Sequence, residues 1–169
     1  MKPEYGVVYT FTVDGEPVPK STQKPPRHKA AYHIVQNDPK YKRLKETWAY
    51  QSLVAECATL DEMPTFRKDD PIRLSLCICK VGRKLGDVKN ILASIEDGLQ
   101  YGKFIPNDKQ IVGYGDVITH FNNKTPYVTV RLEIHPIVFD RSWREGYFGS
   151  KKKAQEYYDR VVKHKDRIE

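Results

Sequence analysis

Asp87 and Asp108 flank a stretch with helical apolar spacing, and Asp97 lies inside it. Carboxylates are the hard oxygen ligands that Mg²⁺ takes, one or two at a time, with phosphate oxygens completing the shell. An ion held there polarises a phosphodiester and acidifies a bound water, so metal-assisted hydrolysis is the chemistry these residue types allow. They also have a plain structural use. Aspartate is a favoured helix N-cap, here with Asn90 three positions on, and Pro106-Asn107-Asp108 is ordinary turn chemistry. Spacing alone leaves both uses open.

The second group of interest is cationic. Residues 20 to 45 hold eight Lys/Arg against one acid, Asp38, an excess that matches the formal net charge of +7 of the whole chain. Lys20, Lys24, Arg27 and Lys29 lie in a Pro-rich segment. Lys40, Lys42 and Arg43 crowd what should be the first turn of a helix, where the helix dipole disfavours positive charge. Clustered cations at a position that costs stability point to a polyanion, with Lys20, Lys24, Arg27, Lys29, Lys40 and Arg43 as phosphate contacts. The competing account is a solvated basic face kept for solubility.

These side chains need a scaffold. "YGVVYTFTV" alternates with the period of a half-buried strand and ends at a turn, Asp14-Gly15. "EPVPKSTQKPPRHKAAYHIVQ" shows neither period and reads as a long loop. Asp38-Pro39 opens a helix with Tyr41, Leu44, Trp48 and Ala55 on one stripe. "PIRLSLCICK" is a strand, with Ile72, Leu74, Leu76 and Ile78 on one face and Cys77 and Cys79 on the other. Residues 88 to 100 form a helix whose apolar stripe is Val88, Ile91, Leu92, Ile95 and Leu99, with Asp87, Asn90, Ser94 and Asp97 on the polar side. "QIVGYGDVITHF" and "PYVTVRLEIHP" are strands joined by "NNKT", a hairpin-compatible turn. Gly113 and Gly115 mark a bulge or a close approach. Ser150 can cap a final basic helix carrying Ala154, Tyr157, Tyr158, Val161 and Val162. The predicted class is α+β: a single mixed β-sheet covered by helices, order β-α-β-α-β-β, with a C-terminal helical extension. The predicted division is residues 1–136 and a basic helical extension, 137–169.

Other classes drop out. No apolar run approaches the ~18 residues of a membrane span, so no membrane role is expected, and the first residues lack a secretory pattern, which makes the cytoplasm the default location. Cys57, Cys77 and Cys79 lack zinc or disulfide spacing and read as reduced core residues. The five histidines show no metal-protease or paired spacing. Trp48, Tyr50, Trp143, Tyr147 and Phe148 are types that stack on unpaired bases and equally types that fill cores.

One ordered set of residues is more specific than its parts. Gly15-Glu16-Pro17-Val18-Pro19-Lys20 follows the first strand; Asp87-Val88-Lys89-Asn90-Ile91, Asp97-Gly98-Leu99, Gly102 and Asn107-Asp108-Lys109-Gln110-Ile111 follow in turn. Over roughly residues 6 to 135 the chain resembles the RusA family of Holliday-junction resolvases. The resemblance implies a homodimeric, Mg²⁺-dependent endonuclease that nicks branched DNA at four-way junctions, with Asp87 and Asp108 as metal ligands and catalytic residues. Two positions depart from the family pattern: Lys89 replaces an aspartate, and Ala93 replaces a catalytic lysine. With residues 84 to 89 extended, Lys89 would share a face with Asp87 and return an ammonium to the site, and Asp97 would supply a third carboxylate. The alternatives are a RusA-like junction-binding protein that no longer cleaves, and an RNA-binding accessory protein whose acids are only caps. Asp116 reads as a strand-edge residue.

Overall fold

Alternating apolar residues build four strands: β1, Tyr9–Asp14; β2, Ile72–Cys79; β3, Ile111–His120; and β4, Tyr127–Ile134. The computed structural model describes residues 1–83, 87–121 and 124–163. The strands form one mixed sheet in the order β1-β4-β2-β3, in which β4 is antiparallel to both neighbours and β2 runs parallel to β3. The core face carries Phe11, Val13, Leu74, Leu76, Val130 and Leu132, all buried. The α+β class, with a mixed sheet, covering helices and C-terminal helices, is the one anticipated above.

Two helices matter most for position. α2, Lys42–Leu60, and α3, Val88–Tyr101, pack together, and the contact is close because of Gly98. A Cβ there would meet Val54 Cβ at 2.7 Å. The seat of α2 differs from the sequence expectation: it buries Leu44, Thr47, Tyr50, Val54, Ala55 and Ala58, while Trp48 is only half-buried. Asp38 caps a short 3-10 turn, Pro39–Tyr41, and α2 proper starts at Lys42.

Two further expectations are corrected. The Pro-rich segment ends in a helix, α1, Ala31–Asn37. Seven residues are too few for a periodic signature, and so short a helix depends on tertiary contacts; α1 gets them from α2. Nor do β3 and β4 form a hairpin, because β2 lies between them. β2 is apolar enough along its length to take that central position, leaving β3 at the edge. Asn122 and Asn123 of the expected turn lie outside the described residues.

After β4, Asp140 caps α4, Arg141–Phe148, and Ser150 caps α5, Lys151–Tyr157, as its residue type suggested. A π-turn, Tyr158–Val162, follows. Val138, Tyr157, Val161 and Val162 join the same hydrophobic core as the sheet. The Tyr157 hydroxyl donates to buried Asp70 Oδ1 at 2.7 Å, and Arg160 pairs with Asp69 at 2.5 Å. Cys57, Cys77 and Cys79 are free thiols, but of the three expected in the core only Cys79 is buried; Cys57 on the flank of α2 and Cys77 on the outer sheet face are half-buried. Among the described residues no helix is long and apolar enough to cross a membrane.

Candidate functional site

Asp87 is the N-cap of α3. One carboxylate oxygen accepts from the Asn90 backbone N–H at 3.2 Å and the other from Asn90 Nδ2 at 2.8 Å. This interaction satisfies an otherwise unpaired helix-end donor. It also starts the helix at Val88, so Lys89 lies on the first turn instead of an extended strand. At about 100° per residue, Lys89 points some 200° around the axis from Asp87. The shared face proposed for this pair therefore does not form, and residues 84–86 lie outside the described residues.

Asp108 sits at the other end of the helix. Because β2 and β3 are parallel, α3 must run back between them, starting beside the end of β2 and finishing before the start of β3. Its 14 residues span roughly 21 Å at about 1.5 Å per residue. Asp108 opens a short 3-10 turn, Asp108–Gln110, capped by Asn107, while buried Gln110 donates to the Arg67 and Asp70 carbonyls at 2.7 and 3.0 Å. The convergence of Asp87 and Asp108 expected from sequence does not occur within one chain: both lie near strand ends, but the ends are opposite ones. Among the described residues no three His, Cys, Asp or Glu side chains are grouped to hold a metal ion.

What does gather near Asp108 is Glu96, Asp97, Tyr114 and Lys20. Tyr114 Oη donates to Glu96 Oε1 at 2.5 Å. Tyr114 reaches α3 because β3 shifts register twice against β2, at its glycines. It pairs with Leu74 on the helix side, whereas Gly115 makes room for the Ser75 hydroxyl on the other side. Burial raises the Glu96 carboxyl above its ordinary range, and the negative charges of Asp108 and Asp97 push the same way; the Tyr114 hydrogen bond and Lys20 oppose them. Burial and Glu96 together push the Tyr114 hydroxyl up. Neither Glu96 nor Tyr114 was singled out from sequence; the glycines flanking Tyr114 were the available signal.

Asp97 faces a cation. Lys20 Nζ lies 2.7 Å from Asp97 Oδ2, and Gln51 Nε2 approaches the same oxygen at 3.4 Å. The loop carrying Lys20 is strapped down: Lys20 N–H donates to Asn90 O at 2.9 Å, Ser21 N–H to Thr47 Oγ1 at 3.0 Å, and Gln23 Nε2 to Lys40 O at 2.8 Å. Between this strap and the start of α2 lies an open cleft of about 440 Å³, lined by Ser21, Thr22, Gln23, Lys40, Lys42 and Arg43. A neighbouring hollow includes Lys20, Arg43, Thr47 and Asn90. The side chains of Lys24, Arg27, Lys29 and Arg43 are exposed, without a hydrogen bond or ion pair to another described residue. Cations therefore meet the acidic side of α3 through Lys20. Asp116 is elsewhere, in a depression with Arg73, Ser75 and Arg131 on the sheet face away from the helices.

No protein-family model matches this chain, and no curated protein matches it in sequence.

Proposed function

We propose that the chain is a divergent RusA-like endonuclease of four-way DNA junctions, Mg²⁺-dependent and homodimeric, in which each metal site combines Asp87 of one protomer with the partner's Asp108. The observation that carries this reading is the joining, through Lys20, of a cation-lined cleft to a carboxylate cluster. Phosphates bound along Lys40, Lys42 and Arg43 are directed toward that cluster, a contact that reads backbone and shape more than sequence.

The residues suit a hard cation. Asp108 is exposed, has no hydrogen bond or ion pair to another described residue through its carboxylate, and adds to the negative field on Glu96. Such like charges are relieved by a divalent ion with oxygen donors. Bound Mg²⁺ would supply Lewis-acid polarisation and a more acidic water. Two protomers in a twofold arrangement can place Asp87 against Asp108 twice, as a closed interface demands; one chain cannot, since α3 separates them.

Complementation tests this arrangement. Asp87→Asn and Asp108→Asn proteins should each fail to nick a labelled four-way junction, whereas a re-equilibrated mixture should recover Mg²⁺-dependent nicking, because a heterodimer retains one intact pair. A silent mixture rules out the composite site. The second reading, junction binding without cleavage, draws on the cap role of Asp87 and the departures at Lys89 and Ala93. Tight metal-independent binding with no nicks from the natural chain would select it.

A further inference from the structure

α1 buries only Val35, yet it holds Tyr32 outward at 71% exposure. That ring lies parallel to the indole of Trp48 on α2, with planes within 2° and centroids 6.3 Å apart. The two helices are also joined one turn away, where Lys45 Nζ donates to Gln36 O at 3.3 Å. Asn37 Nδ2 closes α1 by donating to His33 O at 2.8 Å. The Tyr32 ring is thus held parallel to Trp48 while most of it stays open to solvent.

We infer that Tyr32, set beside Trp48, is a stacking platform for an unpaired nucleobase on the flank of α2 that carries Lys45. The surroundings select this ligand over an apolar protein segment. Lys29 lies three residues before Tyr32, Lys45 anchors one turn beyond it, and residues 20 to 45 carry eight cations against one acid. A nucleobase brings both a flat face for the ring and a phosphate for the ammonium groups, and every base has such a face, so contact is tolerant of sequence. A paired base in a duplex exposes only its edges, so the platform engages single-stranded segments, open junction centres or frayed ends.

The inference rests on the nucleic-acid reading above, and binding without metal separates the two. A single-stranded oligonucleotide containing 2-aminopurine should be quenched on binding the natural chain. Tyr32→Ala should abolish the quench and weaken single-strand binding roughly tenfold, with duplex binding changed less than about twofold; Tyr32→Phe, which keeps the ring, should behave like the natural chain. Undiminished single-strand binding by Tyr32→Ala, or an equal loss on duplex, overturns this inference alone. Failure of the natural chain to bind any nucleic acid overturns it together with the proposed function. Binding with the Tyr32-dependent quench but no cleavage leaves the platform in place and removes only the nuclease.

Discussion

Lys20 and Asp97 form an ion pair at 2.7 Å, and the same lysine's backbone donates to Asn90 O, two turns earlier on α3. Lys20 therefore spans about two turns of α3, from a backbone hydrogen bond at Asn90 to an ammonium at Asp97.

Lys20→Ala should separate activity from stability. Its side chain is 48% exposed, so removing the pair should cost under about 1 kcal/mol of folding stability. Junction nicking should fall at least about tenfold, as expected when a cation facing developing negative charge is removed. Thermal unfolding beside single-turnover nicking checks both, with Lys20→Arg expected to retain part of the rate.

Glu96 should titrate above its ordinary value of 4.5. The folded state then holds the proton more tightly than the unfolded chain, so this residue makes stability fall as pH rises from about 4.5 through the folded-state value. Asp108→Asn removes a like charge and should shift the titration down; Tyr114→Phe removes a hydrogen bond to the charged form and should shift it up. Carboxyl NMR titration of the three proteins reads the shifts directly.

Lys40→Ala and Arg43→Ala should weaken junction and duplex binding alike. Removing one cation from the phosphate track should reduce the slope of log affinity against log salt by about 0.9 for duplex DNA. Titrations at several salt concentrations check this, and an unchanged slope would exclude these two residues from DNA backbone binding.

Tyr157→Phe should destabilise the whole fold. Tyr157 is 1% exposed, and its hydroxyl donates to Asp70, a fully buried carboxyl. Leaving that oxygen short of a donor should cost about 1–3 kcal/mol. Urea unfolding should show the loss as one cooperative transition, since Tyr157 packs in the same core as the sheet.

Much of the scaffold was legible in the sequence because its signals are local. Alternation marked β2, the spacing Val88, Ile91, Leu92, Ile95 and Leu99 marked α3, and Ser150 announced its helix by residue type. The basic stretch was equally visible, since charge clustering needs no fold to be counted. α1 was missed because seven residues held in place by another helix carry no period of their own.

The sequence by itself determined the α+β class, the apolar stripe of α3 and the concentration of cations in residues 20 to 45. Tertiary structure alone decided what meets what. It placed β2 between β3 and β4, set Asp87 and Asp108 near opposite ends of the parallel β2–β3 pair, and put Glu96, Tyr114 and Lys20 near Asp97 and Asp108. The physical reason is that periodicity and capping act over a few residues, whereas strand order, register shifts and the seating of a loop depend on packing between distant segments, which no local pattern encodes.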